Sequence, residues 1–313
     1  MPAFPHVRQR MLLAGLLSCA VGAALAQDLS PRPGSPQTEQ LAADTFAFRQ
    51  GAQRSLFLVG SEGVIVTDPV SPDHAAAMRR AIAEVTDQPV RYVVYSNSHW
   101  NRIAGGRIFR DEGAKFVTQQ GCAENLRETP NPLVITPDIT YRDSYRVEVG
   151  DRALELHYLG PSLDTCLSVI IAQPAKLMMV VGLVNPPQAS LPWNPTVPDY
   201  QLWNILPFFQ AAEDLARREG ITRLVGGFAS TGAGVDGKPV VQPATGPVTV
   251  LAAQHQLWAR VLGDVKAQLD AGTPARAITG RLDLQSYQQY PRYSERNMAI
   301  LVRRVVSLHT TGR

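Results

Sequence analysis

Between Asn97 and Arg102 the chain carries an imidazole, two carboxamides and a guanidinium within six residues: Asn97, His99, Asn101 and Arg102. The stretch follows an apolar run, Tyr92-Val93-Val94-Tyr95, that reads as a short buried strand, and it ends in Gly105-Gly106, where the backbone can turn away. Its side chains therefore gather at a strand end. A lone imidazole such as His99 holds a metal ion weakly at best, and His74, His157, His255 and His309 stand elsewhere in the chain. Nucleophilic catalysis has little to work with. No Gly-x-Ser-x-Gly elbow occurs, and a Cys166 nucleophile would need His99 as its base across a distance that the sequence does not set. No residue is assigned a catalytic role.

Three later segments repeat the pattern of a strand or turn ending at one position of interest. They are Leu159-Gly160-Pro161-Ser162-Leu163-Asp164-Thr165, then Met178-Met179-Val180-Val181-Gly182-Leu183-Val184, then Arg223-Leu224-Val225-Gly226-Gly227-Phe228. Together with the loop at 95–106, they resemble in order the four ligand-bearing segments of the metallo-β-lactamase superfamily. In that family the first segment reads His-x-His-x-Asp-His before a Gly-Gly pair. The entry hairpin fits too: Ser55-Leu56-Phe57-Leu58-Val59, a turn at Gly60 to Gly63, and Val64-Ile65-Val66-Thr67-Asp68 ending in an acid. The resemblance spans about residues 55 to 228 and implies an α/β fold, an αββα sandwich of two mixed sheets flanked by helices.

The same resemblance implies zinc in the family and removes its ligands here. Matched residue by residue, Asn97 stands at the first His, His99 at the second, Asn101 at the Asp and Arg102 at the last His. Leu163 takes the place of the His in the Gly-Pro-x-His loop, Gly182 that of the bridging Asp, or Leu183 if the register is one residue off, and Phe228 that of the final His. A catalytic zinc site uses about three imidazole, thiolate or carboxylate donors from the protein. An amide oxygen is a weak neutral donor, and a guanidinium is a fixed cation with no lone pair to give. The expectation is therefore no metal and no cofactor, with Asp68, Asn97, His99, Asn101, Arg102, Leu163, Asp164, Gly182 and Phe228 lining a vestigial pocket. Two roles stand open for Arg102: an ion pair with Asp68 or Asp164, or a free charge that receives a small anionic ligand such as a carboxylate. The function expected is a non-catalytic binding or scaffolding protein. The alternatives are a hydrolase with a metal-poor or metal-independent site and a partner protein that dimerises through its C-terminal helices.

The remaining sequence places these positions in an ordinary globule. Of 313 residues, 45% are hydrophobic and 18% charged, enough for a substantial core. Arg8 and Arg10 precede an apolar run from Met11 to Ala26 that closes on Ala24-Leu25-Ala26. That is the pattern of a secretory signal cleaved near Ala26, too short for a good membrane span. Leu16-Leu17-Ser18-Cys19 offers a rival lipoprotein site at Cys19. Cleavage removes two arginines and no acid, lowering the net charge from +3 to +1 and leaving no nucleic-acid footprint. Export, to the periplasm or the medium, would permit Cys122 and Cys166 to pair, while two buried thiols remain the other reading.

The domain plan is a signal at 1–26, an extended leader at 27–45, and the sandwich at 46–313 with a helical extension from about 248. Ser71-Pro72-Asp73 opens a helix to about Val85. A Pro-rich loop follows from Asn185 to Pro198. In it Trp193 either stands at the pocket mouth or anchors the loop to the surface. Helices are expected at about 200–218, bent or interrupted by Pro207, at 248–271, and at 294–308 with Met298, Leu301, Val302 and Val305 on the buried face.

Overall fold

A computed structural model describes residues 34–233 and 238–312. The expected signal sequence, its cleavage site and Cys19 lie outside the described residues. Strands β1 (Gln37–Ala42), β2 (Thr45–Gln50), β3 (Gln53–Gly60) and β4 (Gly63–Thr67) form an antiparallel meander. β1 corrects the expected leader: it pairs with β2 from Gln37 against Arg49 to Ala42 against Thr45, inside the span taken as extended chain. Its polar sequence hid it. As an edge strand it buries one apolar side chain, Leu41, and leaves its other face wet.

Helix α1 (Pro72–Ala83) starts as expected, with Ser71 Oγ accepting from the His74 N–H at 3.2 Å and Pro72 in the first turn, where a missing N–H costs nothing. β5 (Val90–Val94) lies parallel to β4, and the short helices α2 (Trp100–Ile103) and α3 (Arg107–Asp111) follow it. β6 (Lys115–Gln119), α4 (Gln120–Glu128) and β7 (Ile139–Tyr141) complete a seven-stranded sheet in sequential order. Gly105 fixes the turn after α2. A Cβ there would lie 2.1 Å from the Pro69 carbonyl oxygen, so only glycine lets the loop close this tightly.

The second sheet begins with β8 (Ser144–Val149), β9 (Arg152–Tyr158), β10 (Ser168–Gln173) and β11 (Leu177–Met179). β11 stops at Met179, short of the position matched to the bridging Asp, and the chain turns at Gly182, whose φ is +78°. Helix α5 (Ile205–Arg218) comes next, then β12 (Arg223–Val225), the hairpin strands β13 (Thr231–Ala233) and β14 (Pro239–Val241), and β15 (Thr245–Pro247). The sheet runs β15-β12-β11-β10-β9-β8. Pro207 does not interrupt α5, because it sits in the first turn, where no intrahelical acceptor awaits its N–H.

Helices α6 (Thr249–Asp270), α7 (Ile278–Arg281) and α8 (Glu295–Thr311) close the chain. Met298, Leu301, Val302 and Val305 of α8 are all buried. α5, α6 and α8 join the larger hydrophobic cluster, which also takes in side chains of both sheets, with Phe208, Phe209, Trp258 and Leu301 among its members. A second cluster packs α1 and α3 onto the first sheet through Phe57, Met78, Ile82 and Phe109. The architecture is the expected αββα sandwich of two mixed sheets.

Candidate functional site

The strand-end positions fall into three groups. The first surrounds Arg102, which α2 carries inward to 1% exposure. Its Nη2 donates to Asp68 Oδ2 at 2.9 Å and to the Arg54 carbonyl at 3.0 Å, and its Nη1 donates to Gln53 Oε1 at 2.5 Å and to the Gly227 carbonyl at 3.0 Å. The Phe228 ring lies 5.2 Å from the guanidinium carbon. Asp68 adopts a φ of +43°, a region that Asp tolerates better than most residues. Its Oδ1 and Oδ2 also accept from the Ser96 N–H and hydroxyl, each at 2.8 Å. The carboxylate is thus paired and hydrogen-bonded at full burial.

Of the two roles open to Arg102, this geometry is the ion pair, and its partner is Asp68 rather than Asp164. Both terminal nitrogens are engaged by protein acceptors, and the remaining donor, Nε, is buried with no hydrogen-bond partner among the described residues. Arg54, buried beside it, donates to the Gly226 and Phe228 carbonyls at 3.0 Å, and burial lowers its guanidinium to about 10. His74 approaches from α1, edge-on to Phe48, and neither of its ring nitrogens has a hydrogen-bond partner among the described residues. Burial, reinforced by the charge of Arg102, holds that imidazole down at about 3.

The second group is Leu163 with Gly182. A Cβ built on Gly182 would lie 2.9 Å from Leu163 Cδ2, so the isobutyl group occupies the space beside the position matched to the bridging Asp. Leu163 is buried.

The third group opens to solvent in a cavity of about 660 Å³. His99, Asn101 and Asp164 line it together with Trp100, Glu128 and Asp199. His99 Nε2 stands 3.7 Å from Asp164 Oδ2 and 3.8 Å from Asp199 Oδ2, within ion-pair reach of both when protonated. Burial pushes the Asp164 carboxyl up, opposed by His99 and by the N–H groups of Cys166, Leu167 and Ser98. Asn97 does not face this cavity. It is buried, its Oδ1 accepting from the His99 N–H at 2.9 Å and its Nδ2 donating to Ser96 Oγ at 3.2 Å, so it shapes the loop.

The family-matched positions therefore do not form one donor cluster, and the residues present do not fit a zinc ion. Arg102 brings a cation, Leu163 and Phe228 bring hydrocarbon, and His99 is the sole imidazole at these positions. Among the described residues no group of three or more His, Cys, Asp or Glu side chains is placed to hold a metal ion.

Several participants carried no sequence signal. Gln53 and the carbonyls of Arg54 and Gly227 reach Arg102 only through sheet pairing, and Asp199 comes from the loop before α5. Ser96 could have been read as a partner of Asp68 from its place at the tip of β5. Cys122 and Cys166 form a disulfide, with Cα atoms 5.2 Å apart, which decides against two free thiols. Trp193 stacks on Phe228 at 6.2 Å and lies under Arg292, lining a different cavity from that of His99.

No family model matches the chain. Among solved structures it is similar to a metallo-β-lactamase from Pontibacter korlensis, with a TM-score of 0.60 and 17% identity over 72% of this chain and 99% of that one. DIM-1 metallo-β-lactamase gives 0.58 and 13% over 72% and 98%, and TMB-1 gives 0.59 and 11% over 72% and 98%. The chain has the metallo-β-lactamase fold. Among the described residues no helix is long and apolar enough to cross a membrane.

Proposed function

We propose that this protein is an exported, non-catalytic binding or scaffolding protein built on the metallo-β-lactamase fold. One observation carries the reading: at the position matched to a metal ligand stands Arg102, buried and neutralised by Asp68 at 2.9 Å. Zinc enzymes make their nucleophile by lowering the pKa of a bound water to about 7. Here the local positive charge is a guanidinium, which binds no water as a Lewis acid and has both terminal nitrogens committed to the protein. Leu163 against Gly182 and Phe228 against Arg102 add hydrocarbon where donors would be required. The Cys122–Cys166 disulfide favours an oxidising compartment and so supports export.

The test is metal content. Protein purified after expression with zinc, then dialysed, is expected to hold less than about a tenth of an equivalent, since His99 is the sole imidazole left in the ligand set. One or two tightly held zinc ions per chain would overturn the reading.

A second reading, a hydrolase that works without metal, draws on His99 between Asp164 and Asp199 in an open cavity. It requires ester or β-lactam turnover that resists chelator and disappears in His99→Ala. Turnover equal to buffer excludes it.

A further inference from the structure

A second cavity, of about 770 Å³, shares no lining residue with the cavity of His99 among the described residues. Ala52, Trp193, Ser230, Pro291, Arg292 and Asn297 line it, and Arg292 is the one charged residue among the described residues that do so. That arginine is unusual in three respects. Its backbone stands at a φ of +68°, where side-chain-bearing residues are rare. Its guanidinium sits 4.6 Å from the centre of the Trp193 ring, and burial lowers its pKa. It also forms no ion pair with any carboxylate among the described residues: only Nη1 is used, donating to Ser190 Oγ at 3.0 Å and the Leu191 carbonyl at 3.4 Å.

A part-buried guanidinium without a counter-ion is costly, and its remaining edge, Nε with Nη2, is the fork that matches a carboxylate in two parallel hydrogen bonds. Beside that fork stands Trp193, 62% exposed, whose indole also stacks on Phe228. An aromatic surface next to an unpaired fork suits a ligand with a flat apolar body and one carboxylate.

We propose that this cavity is a binding site for small aromatic or similarly flat carboxylates, with Arg292 as the anion receptor and Trp193 as the stacking platform. None of the positions that the family resemblance singled out lines this cavity among the described residues, although Phe228 stacks on Trp193. The site goes beyond the proposed function, since zinc content is untouched by either outcome here and the two readings fail separately.

The test uses 2-naphthoate as the probe, with the neutral 2-naphthamide as its control. The indole N–H resonances of the purified protein are followed during titration, with that of Trp193 assigned by Trp193→Phe. Trp203, exposed to the same degree at 61%, reports non-specific stacking. Saturable movement of the Trp193 resonance by naphthoate, with Trp203 unmoved, is the expected result. Naphthamide should bind at least about tenfold more weakly, and Arg292→Gln should weaken naphthoate by a similar factor, the range for losing charged hydrogen bonds. Equal affinity for acid and amide, equal movement of Trp193 and Trp203, or a folded Arg292→Gln that binds as wild type would each overturn the site. Should Arg292→Gln fail to fold, the comparison of acid with amide in the wild-type protein decides alone.

Discussion

Arg102 Nη2 and Asp68 Oδ2 are 2.9 Å apart, with side-chain exposures of 2% and 0%. A charge pair so far from water is held by what surrounds it. Three further acceptors serve the guanidinium and two Ser96 donors serve the carboxylate, so neither ion depends on the other alone. Removing one partner leaves the other as an unpaired buried charge. Arg102→Ala should therefore cost about 3–5 kcal/mol, and Arg102→Ala with Asp68→Ala markedly less than the sum of the two single changes. Chemical denaturation of the four proteins measures this. Additive losses would show that the pair is not coupled.

Leu163 and Gly182 make a second pairwise claim. An Asp introduced at Gly182 meets the isobutyl group and takes a positive φ at once. Gly182→Asp alone should cost at least about 2 kcal/mol, from the left-handed backbone and from overpacking together. Combining it with Leu163→Ala should recover the overpacking part and leave the backbone part. Thermal midpoints of the two single variants and the double variant separate these contributions.

His74 predicts a pH dependence. Its folded pKa of about 3 lies below histidine's ordinary value of about 6.5, so the unfolded chain binds the additional proton between these limits. Stability is then fully present above pH 6.5 and is lost as pH falls toward 3. By linkage the loss from this group is about 2 kcal/mol at pH 5. His74→Leu should flatten the stability curve between pH 7 and pH 5 by that amount. An unchanged slope would mean that the imidazole finds a way to remain charged.

The disulfide closes a sequence separation of 44 residues and ties α4 to the segment that opens β10. Reducing it, or replacing both cysteines with alanine, should cost about 2–5 kcal/mol. Reduction in native buffer should lower the thermal midpoint of the wild type and leave that of the double alanine variant unchanged.

Read as sequence, the chain determined the frame and the residue types on it. The hairpin before Asp68, the capped start of α1 at Ser71, the buried stripe Met298-Leu301-Val302-Val305 and the strand-end loops are local patterns, set by turn chemistry and by periods of two and 3.6 residues. The loss of donors was equally legible, because a guanidinium or a hydrocarbon cannot ligate zinc wherever it lies. Local pattern also misled: Gln37–Ala42 is polar enough to read as leader, and Pro207 reads as a break until its place in the first turn is known. Only the tertiary structure decided which carboxylate Arg102 meets, that Cys122 reaches Cys166, and that Arg292 lies over Trp193. Each of these contacts joins residues 34 to 99 positions apart, and the Gly227 carbonyl reaches Arg102 across 125. Sheet register and helix packing bring such pairs together, and no spacing within a segment encodes them.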